Sequence, residues 1–330
     1  MIERYDVAPL DGITRAVFRR VHHRMFGGAD RYFIPFFSPT DQHIITRRDL
    51  IRKHGWPLEQ VLDPANNVGL PLVPQIMTRR APDFLWGAQV MEEMGYGEVN
   101  LNLGCPSGTV TAKGKGSGFL AKPEELDRFF EEVFASVRLP VSVKTRLGIR
   151  EAEEFPRLLE IFNRYPIKTL TIHPRVQKEF YKGPIHRDVF AVAAAGSRNP
   201  VCYNGDLLTV EDCRAFEQEF PQVNAVMIGR AVVADPALLR KIRGGAPATR
   251  EELQRFTAEL YWEYQEFYGQ VGTAAQRMKE VWFYLIHLFE GGERIDKKMR
   301  RSRSPGEYES LEAQIFAELP LRDHAEGPLI

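Results

Sequence analysis

Cys105 is the residue of this chain whose type and setting point most directly to chemistry. It lies in the segment LNLGCPSGTVTAKGKGSGFL at 101–120, directly after an apolar run and between Gly104 and Pro106. A free thiol has an ordinary pKa of about 8.5, so it is mainly protonated at neutral pH and can donate a proton. A cysteine on a short turn after a strand is therefore a candidate general acid.

Glycine occupies every second position from 114 to 118, a pattern that could cradle a phosphate. A dinucleotide-binding fingerprint needs its glycines immediately after a strand, whereas these begin a dozen residues after Asn102. A P-loop needs Gly-Lys followed by Ser or Thr, and the sequence here is GKGSG. Alternating glycines suit a loop that moves or that lets another segment approach closely. We interpret the segment as a mobile lid that carries Cys105.

The other two cysteines have the setting of buried, unreactive thiols. Cys202 lies in an apolar strand-like run and Cys213 in a helical segment. Three cysteines without a CxxC pair argue against a disulfide framework and against a metal site. This cysteine usage predicts a reduced, cytoplasmic location.

The charge balance restricts the class of partner. The 330 residues include 44 basic and 44 acidic side chains, so a uniformly basic nucleic-acid surface is excluded. Basic residues still cluster at 19–24, 113–115 and 297–303. No apolar stretch approaches the roughly 18 residues of a membrane span, and the N-terminal residues lack the apolar region of a signal peptide. We therefore expect no membrane contact.

Short apolar runs rich in β-branched residues recur along the first 230 positions and predict eight strands. Segments with helical periodicity alternate with them, such as 123–137, which begins at a proline. Buried parallel strands have continuous apolar sequences, and eight βα units favour a (β/α)8 TIM barrel over a doubly wound open sheet. The runs are 5–9, 32–37, 71–76, 98–103, 140–145, 168–173, 200–205 and 224–229.

Nearly every predicted strand carries polar residues or glycine at its carboxyl end. In a TIM barrel these ends meet at one mouth, which is where barrel enzymes carry out chemistry. This shared position is the reason to prefer the barrel over the open sheet. The strand-end residues are Pro9, Leu10, Asp11, Gln75, Asn102, Lys144, His173, Asn204, Gly229 and Arg230.

After about residue 245 the pattern is helical only. Apolar residues recur at three- and four-residue spacing within 253–267, 278–289 and 308–319. Such apolar stripes are typical of helix faces that pack in a core. We therefore divide the chain into a barrel domain at 1–243 and a C-terminal helical domain at 244–330.

Taken together, six segments of this chain resemble the tRNA-dihydrouridine synthases. Each segment alone is a weak signal, but their order along the chain and the helical C-terminal part agree with that family. Leu10 stands where methionine is familiar in the family, and Val176 where threonine is common. The segments are VAPLDGITRAVFR (7–19), LNLGCPSGTV (101–110), VSVKTRLG (141–148), TIHPR (171–175), YNGD (203–206) and VMIGRA (226–231).

The resemblance implies an enzyme that binds FMN and uses NADPH or NADH to reduce the C5=C6 bond of uridines in tRNA. By the same resemblance, Lys144 would lie near flavin N1 and O2, and Gln75 would bond the edge of the ring. Arg230 suits the phosphate because arginine forms charge-assisted hydrogen bonds. The implied cofactor contacts are Pro9, Leu10, Asp11, Gln75, Lys144, His173, Asn204, Gly205, Asp206, Gly229 and Arg230.

The resemblance also implies roles toward the substrate. Hydride delivered to C6 of uracil leaves charge that is removed when C5 is protonated, and Cys105 would supply that proton. Asn102 would hold the uracil edge after the base has left its stack. Arg146, Arg175 and Lys178 would contact RNA phosphates. The helical domain would bind tRNA, and we expect the protein to act as a monomer.

Two other functions are open on the sequence alone. An FMN-dependent TIM-barrel reductase of a small-molecule pyrimidine or enone would use the same barrel mouth, but it would need neither the basic clusters nor the helical domain. A tRNA-binding module without catalysis would keep the basic clusters, but it would have no use for Cys105, Lys144 and His173.

Overall fold

The computed structural model describes residues 1–43, 69–327 and 329. Within these residues, nine strand segments form one parallel sheet in the order β3-β2-β1-β9-β8-β7-β6-β5-β4. All eight predicted apolar runs contain strand residues. The segments are β1 (Arg4–Val7), β2 (Arg31–Phe33), β3 (Leu72–Val73), β4 (Gln75–Ile76), β5 (Val99–Leu103), β6 (Val141–Arg146), β7 (Leu170–His173), β8 (Val201–Tyr203) and β9 (Ala225–Ile228).

Pro74 explains why the sheet has nine segments for eight strand positions. It separates β3 from β4 and has no backbone N–H to give to a neighbouring strand. β3 pairs with β2 and β4 pairs with β5, so one interrupted strand closes the barrel. The prediction of a (β/α)8 TIM barrel is therefore confirmed, and the open-sheet alternative is wrong.

Helices follow the strands and cover the outside of the barrel. The predicted helix after Pro123 is present, with Glu124 and Glu125 in its first turn. The helices of the described residues are α1 (Ala16–Met25), α2 (Ala81–Glu93), α3 (Gly108–Thr111), α4 (Pro123–Ser136), α5 (Phe155–Phe162), α6 (Arg187–Gly196), α7 (Val210–Glu219), α8 (Arg230–Ala234), α9 (Leu238–Ile242), α10 (Arg250–Tyr268), α11 (Val271–Leu285), α12 (Glu293–Arg301) and α13 (Pro305–Glu318).

The barrel interior is divided into an apolar side and a polar side. The apolar side is a separate cluster of buried residues from β2, β3, β8, β9 and the position just after β1, namely Ala8, Phe33, Val73, Cys202, Ala225 and Met227. The polar side lies on β4, β5 and β6, where Gln75, Asn100 and Ser142 are buried. Buried polar groups need hydrogen-bond partners, so this side must contain an internal network.

The C-terminal helices pack directly on the barrel. The Phe256 ring of α10 meets the rings of Phe18 and Phe26 edge-on, at centroid distances of 6.1 and 5.2 Å.

The helix predicted across 278–289 is shorter in the structure. α11 ends at Leu285, and Phe289 forms an isolated antiparallel bridge with Leu321. Among the described helices, none combines the length and the apolar character needed to cross a bilayer.

Candidate active site

A cavity of about 340 Å³ opens at the carboxyl ends of the strands. This is the end of the barrel at which the sequence places its polar residues. All but three of the predicted site residues line the cavity. The predicted residues that line the cavity are Pro9, Leu10, Asp11, Asn102, Cys105, Lys144, Arg146, His173, Asn204, Gly205, Asp206, Gly229 and Arg230.

Gln75, Arg175 and Lys178 are not among the lining residues. The amide of Gln75 lies inside the barrel and bonds the amides of Asn100 and Asn102, both at 2.7 Å. Lys178 is exposed and pairs with Glu151 at 2.8 Å. The expected flavin contact of Gln75 and the expected RNA contact of Lys178 stay predictions.

Cys105 is half-buried at the cavity and is held through its backbone. Its N–H donates to Asn102 Oδ1 at 3.0 Å, and its carbonyl oxygen accepts the N–H of Ser117 at 3.1 Å. Burial raises the pKa of the Cys105 thiol. The thiol is therefore in the protonated form that a general acid requires at neutral pH.

The glycine-rich segment is packed closely against the Cys105 loop. Gly116 has φ near +57°, and a Cβ there would lie 2.8 Å from the carbonyl oxygen of Cys105. A Cβ at Gly118 would lie 2.7 Å from the carbonyl oxygen of Thr111. Of the two uses expected for these glycines, the structure shows the close approach of another segment, and movement of the lid stays a prediction.

Arg146 ties the Cys105 loop to the loop after β7. Its side chain is buried and donates to the carbonyl oxygens of Gly104 at 2.9 Å and Val176 at 3.1 Å. Burial lowers the pKa of Arg146 to about 10, so the guanidinium is still charged at neutral pH. This charge is placed at the cavity, and its contact with an RNA phosphate stays a prediction.

Lys144 presents an amine to the cavity. Within the described part of the chain, its side chain makes neither a hydrogen bond nor an ion pair. Burial, followed by the nearby charge of Arg146, lowers the pKa of Lys144 to about 7. A bound group that accepts hydrogen bonds or carries negative charge would therefore gain a partner that the protein itself does not use.

His173 is neutral in this site. Burial and the charges of Arg146, Lys144, Arg175 and Arg230 lower the pKa of His173 well below its usual range. Its Nε2 lies 3.2 Å from Arg175 Nη1. Because a guanidinium can only donate, Nε2 accepts and the ring proton is on Nδ1.

Arg230 is fixed at the edge of the cavity by groups from three parts of the chain. Its guanidinium donates to Asp206 Oδ1 at 2.6 Å and to the carbonyl oxygen of Leu329 at 2.8 Å, and it lies 5.3 Å from the centre of the Tyr181 ring. Asp206 also accepts from Arg175, which is buried. Although burial acts in the opposite direction, these arginines lower the pKa of Asp206.

These ion pairs involve two residues of the predicted site. The carboxylate of Asp206 accepts from the guanidinium of Arg230, and the expected cofactor contact of Asp206 stays a prediction. The guanidinium of Arg175 pairs with Asp206 inside the protein, and its expected contact with the RNA backbone stays a prediction.

Among the lining residues that were not predicted from the sequence are Tyr181, Tyr284 and Leu329. The Tyr181 ring stacks beside His173, with 6.1 Å between ring centres, and also lies 5.3 Å from the Arg146 guanidinium. Tyr284 and Leu329 come from the C-terminal part and reach the cavity only through tertiary packing. A tyrosine beside the predicted basic residues at 175–182 is the one local signal that could have identified Tyr181.

Comparison with known proteins identifies the family of this chain. The family model described as dihydrouridine synthase (Dus) matches residues 6–316. The tRNA-dihydrouridine(16) synthase of Ralstonia nicotianae is 32% identical over 74% of this chain and 73% of its own length. The tRNA-dihydrouridine synthase B of Proteus vulgaris is 27% identical over 89% of this chain and 88% of its own length.

Solved structures agree with the fold. Morphinone reductase matches with a TM-score of 0.52 and 14% identity over 75% of this chain and 87% of its own. The old yellow enzyme from Trypanosoma cruzi matches with a TM-score of 0.51 and 11% identity, covering 74% and 89%. At such identities the likeness concerns the barrel alone. The family match over residues 6–316, together with the sequence relatives, shows that this chain is an oxidoreductase of the tRNA-dihydrouridine synthase family.

Proposed function

We propose that the protein is an FMN-dependent tRNA-dihydrouridine synthase that uses NADPH to reduce the C5=C6 bond of tRNA uridines. The observation that carries this proposal is the half-buried thiol of Cys105 in the same cavity as Lys144 and Arg230. A positioned acid, an amine without a protein partner and a fixed guanidinium match a reduction that needs a proton and an anionic cofactor.

The cavity offers charged and apolar residues of the kinds that FMN requires. Arg230 would hold the phosphate, and Lys144 would lie at the ring edge where the reduced flavin carries charge. Leu10, Pro35 and Phe36 offer apolar surface for a flat ring. A Cβ at Gly229 would lie 3.3 Å from Ala8, so a larger residue there would crowd the wall of the cavity. When bound, FMN would supply the hydride that goes to C6 of uracil.

The protein's own residues supply the rest of the reaction. Cys105 would donate its proton to C5, which removes the negative charge left on the base. The backbone hydrogen bond from Cys105 to Asn102 holds the turn that carries this thiol, and the segment at Gly116 packs against the same turn. A general acid of this kind typically contributes about 10²–10⁴-fold to the rate.

The tRNA itself would also contact the C-terminal helices. Lys297, Lys298 and Arg301 are exposed on α12. Phosphate contacts from lysine and arginine provide most of the affinity of proteins for nucleic acids. A reductase of small molecules would not need this basic surface, so its presence favours tRNA as the substrate.

Dihydrouridine formation on unmodified tRNA tests the proposal. The purified protein would be loaded with FMN and incubated with NADPH and tRNA transcribed in vitro, and the digested nucleosides would be measured by mass spectrometry. We expect dihydrouridine in tRNA and none when free uridine replaces tRNA. A protein that reduces free uridine or an enone but leaves every tRNA unchanged would instead be the small-molecule reductase.

A further inference from the structure

A chain of hydrogen-bonded side chains runs through the polar side of the barrel, from the cavity to the opposite end. It consists of Asn102, Gln75, Asn100, Ser142 and Glu98, all buried, and is named here the amide relay. Of these five residues, Asn102 alone lines the cavity. The deep members of the relay have no role in the proposed chemistry, so we ask what these buried side chains hold in place.

The strand register places these side chains together. Gln75, Asn100 and Ser142 lie directly beside one another on β4, β5 and β6. Asn100 and Asn102 alternate along β5, and Glu98, which directly precedes β5, continues the alternation, so the three face the same side of the sheet. At about 3.3 Å per residue, Glu98 lies about 13 Å along the strand from Asn102.

The cavity end fixes the direction of every amide in the relay. Asn102 Oδ1 accepts the backbone N–H groups of Gly104 and Cys105, both at 3.0 Å. Its Nδ2 must therefore donate, and it does so to Gln75 Oε1 at 2.7 Å. Gln75 Nε2 in turn donates to Asn100 Oδ1 at 2.7 Å.

The opposite end imposes the same direction. Asn100 Nδ2 donates to Ser142 Oγ at 2.9 Å, and the Ser142 hydroxyl donates to Glu98 Oε1 at 2.6 Å. A carboxylate can only accept. The other oxygen of Glu98 accepts from Arg31 at 2.9 Å and Lys168 at 2.7 Å, so the carboxylate is surrounded by donors.

We propose that Glu98 is a positioning residue for Cys105. It terminates the amide relay with an obligatory acceptor, and thereby holds Asn102 in the orientation that anchors the Cys105 turn. In the same orientation, the second hydrogen on Asn102 Nδ2 can donate to a carbonyl oxygen of a bound ring. Asn102 offers that ring a donor and not an acceptor. The benefit to proton transfer rests on the proposed function, whereas the anchoring of Cys105 does not.

Replacing Glu98 by glutamine reverses the relay. The new amide must keep its oxygen toward Arg31 and Lys168, so its NH₂ group faces Ser142. The Ser142 hydroxyl then donates to Asn100, and the amides of Asn100 and Gln75 turn over. Gln75 Nε2 then faces Asn102 Nδ2, so two donors meet. Asn102 can accept from Gln75 only if its amide also turns over, and its Oδ1 then no longer accepts the N–H groups of Gly104 and Cys105.

The rate at which iodoacetamide alkylates Cys105 in the full, flavin-free chain measures this anchoring. We expect Glu98→Gln to raise the rate about twofold to tenfold, the change that loss of one ordinary hydrogen bond produces. Asp6→Asn is the matched control, because Asp6 is an equally buried partner of Arg31 and has no bond to the relay. We expect Asp6→Asn to react at the parent rate.

A second substitution tests the direction of the relay itself. In Glu98→Gln/Asn100→Asp, the carboxylate at 100 accepts from both Ser142 and Gln75, so the amides near Cys105 return to their original orientation. We expect the parent alkylation rate for this double variant. If Glu98→Gln does not fold, the double variant decides alone, since the relay requires it to fold and to react at the parent rate.

Three results would overturn the inference. They are an unchanged rate in Glu98→Gln, an equal increase in Asp6→Asn, or a double variant that is unfolded or as reactive as Glu98→Gln. None of these measurements uses FMN, NADPH or tRNA. A protein that forms no dihydrouridine but shows the expected alkylation rates would therefore contradict the proposed function and leave the role of Glu98 intact.

Discussion

Ser117 donates two hydrogen bonds to the carbonyl oxygen of Cys105, from its backbone N–H at 3.1 Å and from its hydroxyl at 2.9 Å. The residue before it, Gly116, lies beside the same oxygen, since a Cβ there would be 2.8 Å from it. Glycine at 116 therefore lets the two segments come close enough for Ser117 to make both hydrogen bonds. The position of the thiol depends on this contact as well as on Asn102.

Gly116→Ala should disturb the thiol without affecting the cofactor. The new Cβ would lie 2.8 Å from the Cys105 oxygen, at a backbone conformation that favours glycine. We expect slower dihydrouridine formation with unchanged FMN content. Gly108→Ala in α3 is the control, since its Cβ has no atom within 4 Å. Equal rates for the two variants would show that the close contact has no part in catalysis.

Cys105→Ala should remove the proton donor and little else. We expect the fold and the oxidation of NADPH by the flavin to persist, while dihydrouridine formation falls by about 10²–10⁴-fold. Cys202→Ala is the control, because Cys202 is buried on the apolar side of the barrel and should cost only packing, about 1 kcal/mol. Single-turnover reaction of the reduced protein with tRNA measures both. A parent-like yield from Cys105→Ala would assign the proton to another group.

Arg230→Ala should weaken retention of FMN, because the phosphate would lose its charged partner. Asp206→Asn should have a smaller effect in the same direction, since Asp206 acts by orienting Arg230. FMN content after gel filtration, and the Kd of the flavin-free protein for FMN, are the measurements. Arg240→Ala, which removes an ion pair with Glu252 away from the cavity, should leave both unchanged. Full occupancy in Arg230→Ala would place the phosphate elsewhere.

The sequence predicts the barrel and most of its mouth because both follow local rules. Continuous apolar runs identify the strands, and polar residues at strand ends lie at the mouth once the barrel closes. The partners of those residues do not follow such rules. Arg175 and Asp206 are 31 residues apart, and only the adjacency of β7 and β8 brings them together. Leu329 reaches Arg230 across 99 residues, without a local pattern that marks it.

Neutralising three exposed residues of α12 should weaken tRNA binding and flatten its salt dependence. Each phosphate contact releases about one counterion from the RNA on binding. The slope of log affinity against log salt concentration therefore becomes smaller by about one for each contact that is lost. The variant is Lys297→Gln, Lys298→Gln and Arg301→Gln, and it omits Arg300, which pairs with Asp296. We expect unchanged reduction of the flavin by NADPH. Identical salt slopes for variant and parent would exclude this face of α12 from the RNA contact.

Lys144 should make the flavin-free protein more stable as the pH rises above neutral. Burial lowers the pKa of Lys144 from about 10.5 to about 7. Below pH 7 the folded and unfolded states both carry the proton, so the group adds no pH dependence. Between these two values the unfolded state holds the proton and the folded state does not. Unfolding in this range is therefore coupled to the uptake of one proton by Lys144. That uptake becomes less favourable as the pH rises, so the free energy of unfolding increases by up to about 1.4 kcal/mol per pH unit.

Urea unfolding of the flavin-free parent and of Lys144→Met isolates this contribution. Other groups titrate in the same range, so the informative quantity is the difference between the two proteins from about pH 7 to about pH 9. We expect the parent to gain stability relative to Lys144→Met over that range. Lys178→Met, an exposed lysine paired with Glu151, should follow the parent at every pH. A constant difference between parent and Lys144→Met would mean that Lys144 keeps its proton in the cavity, and that FMN meets a charged amine at every pH tested.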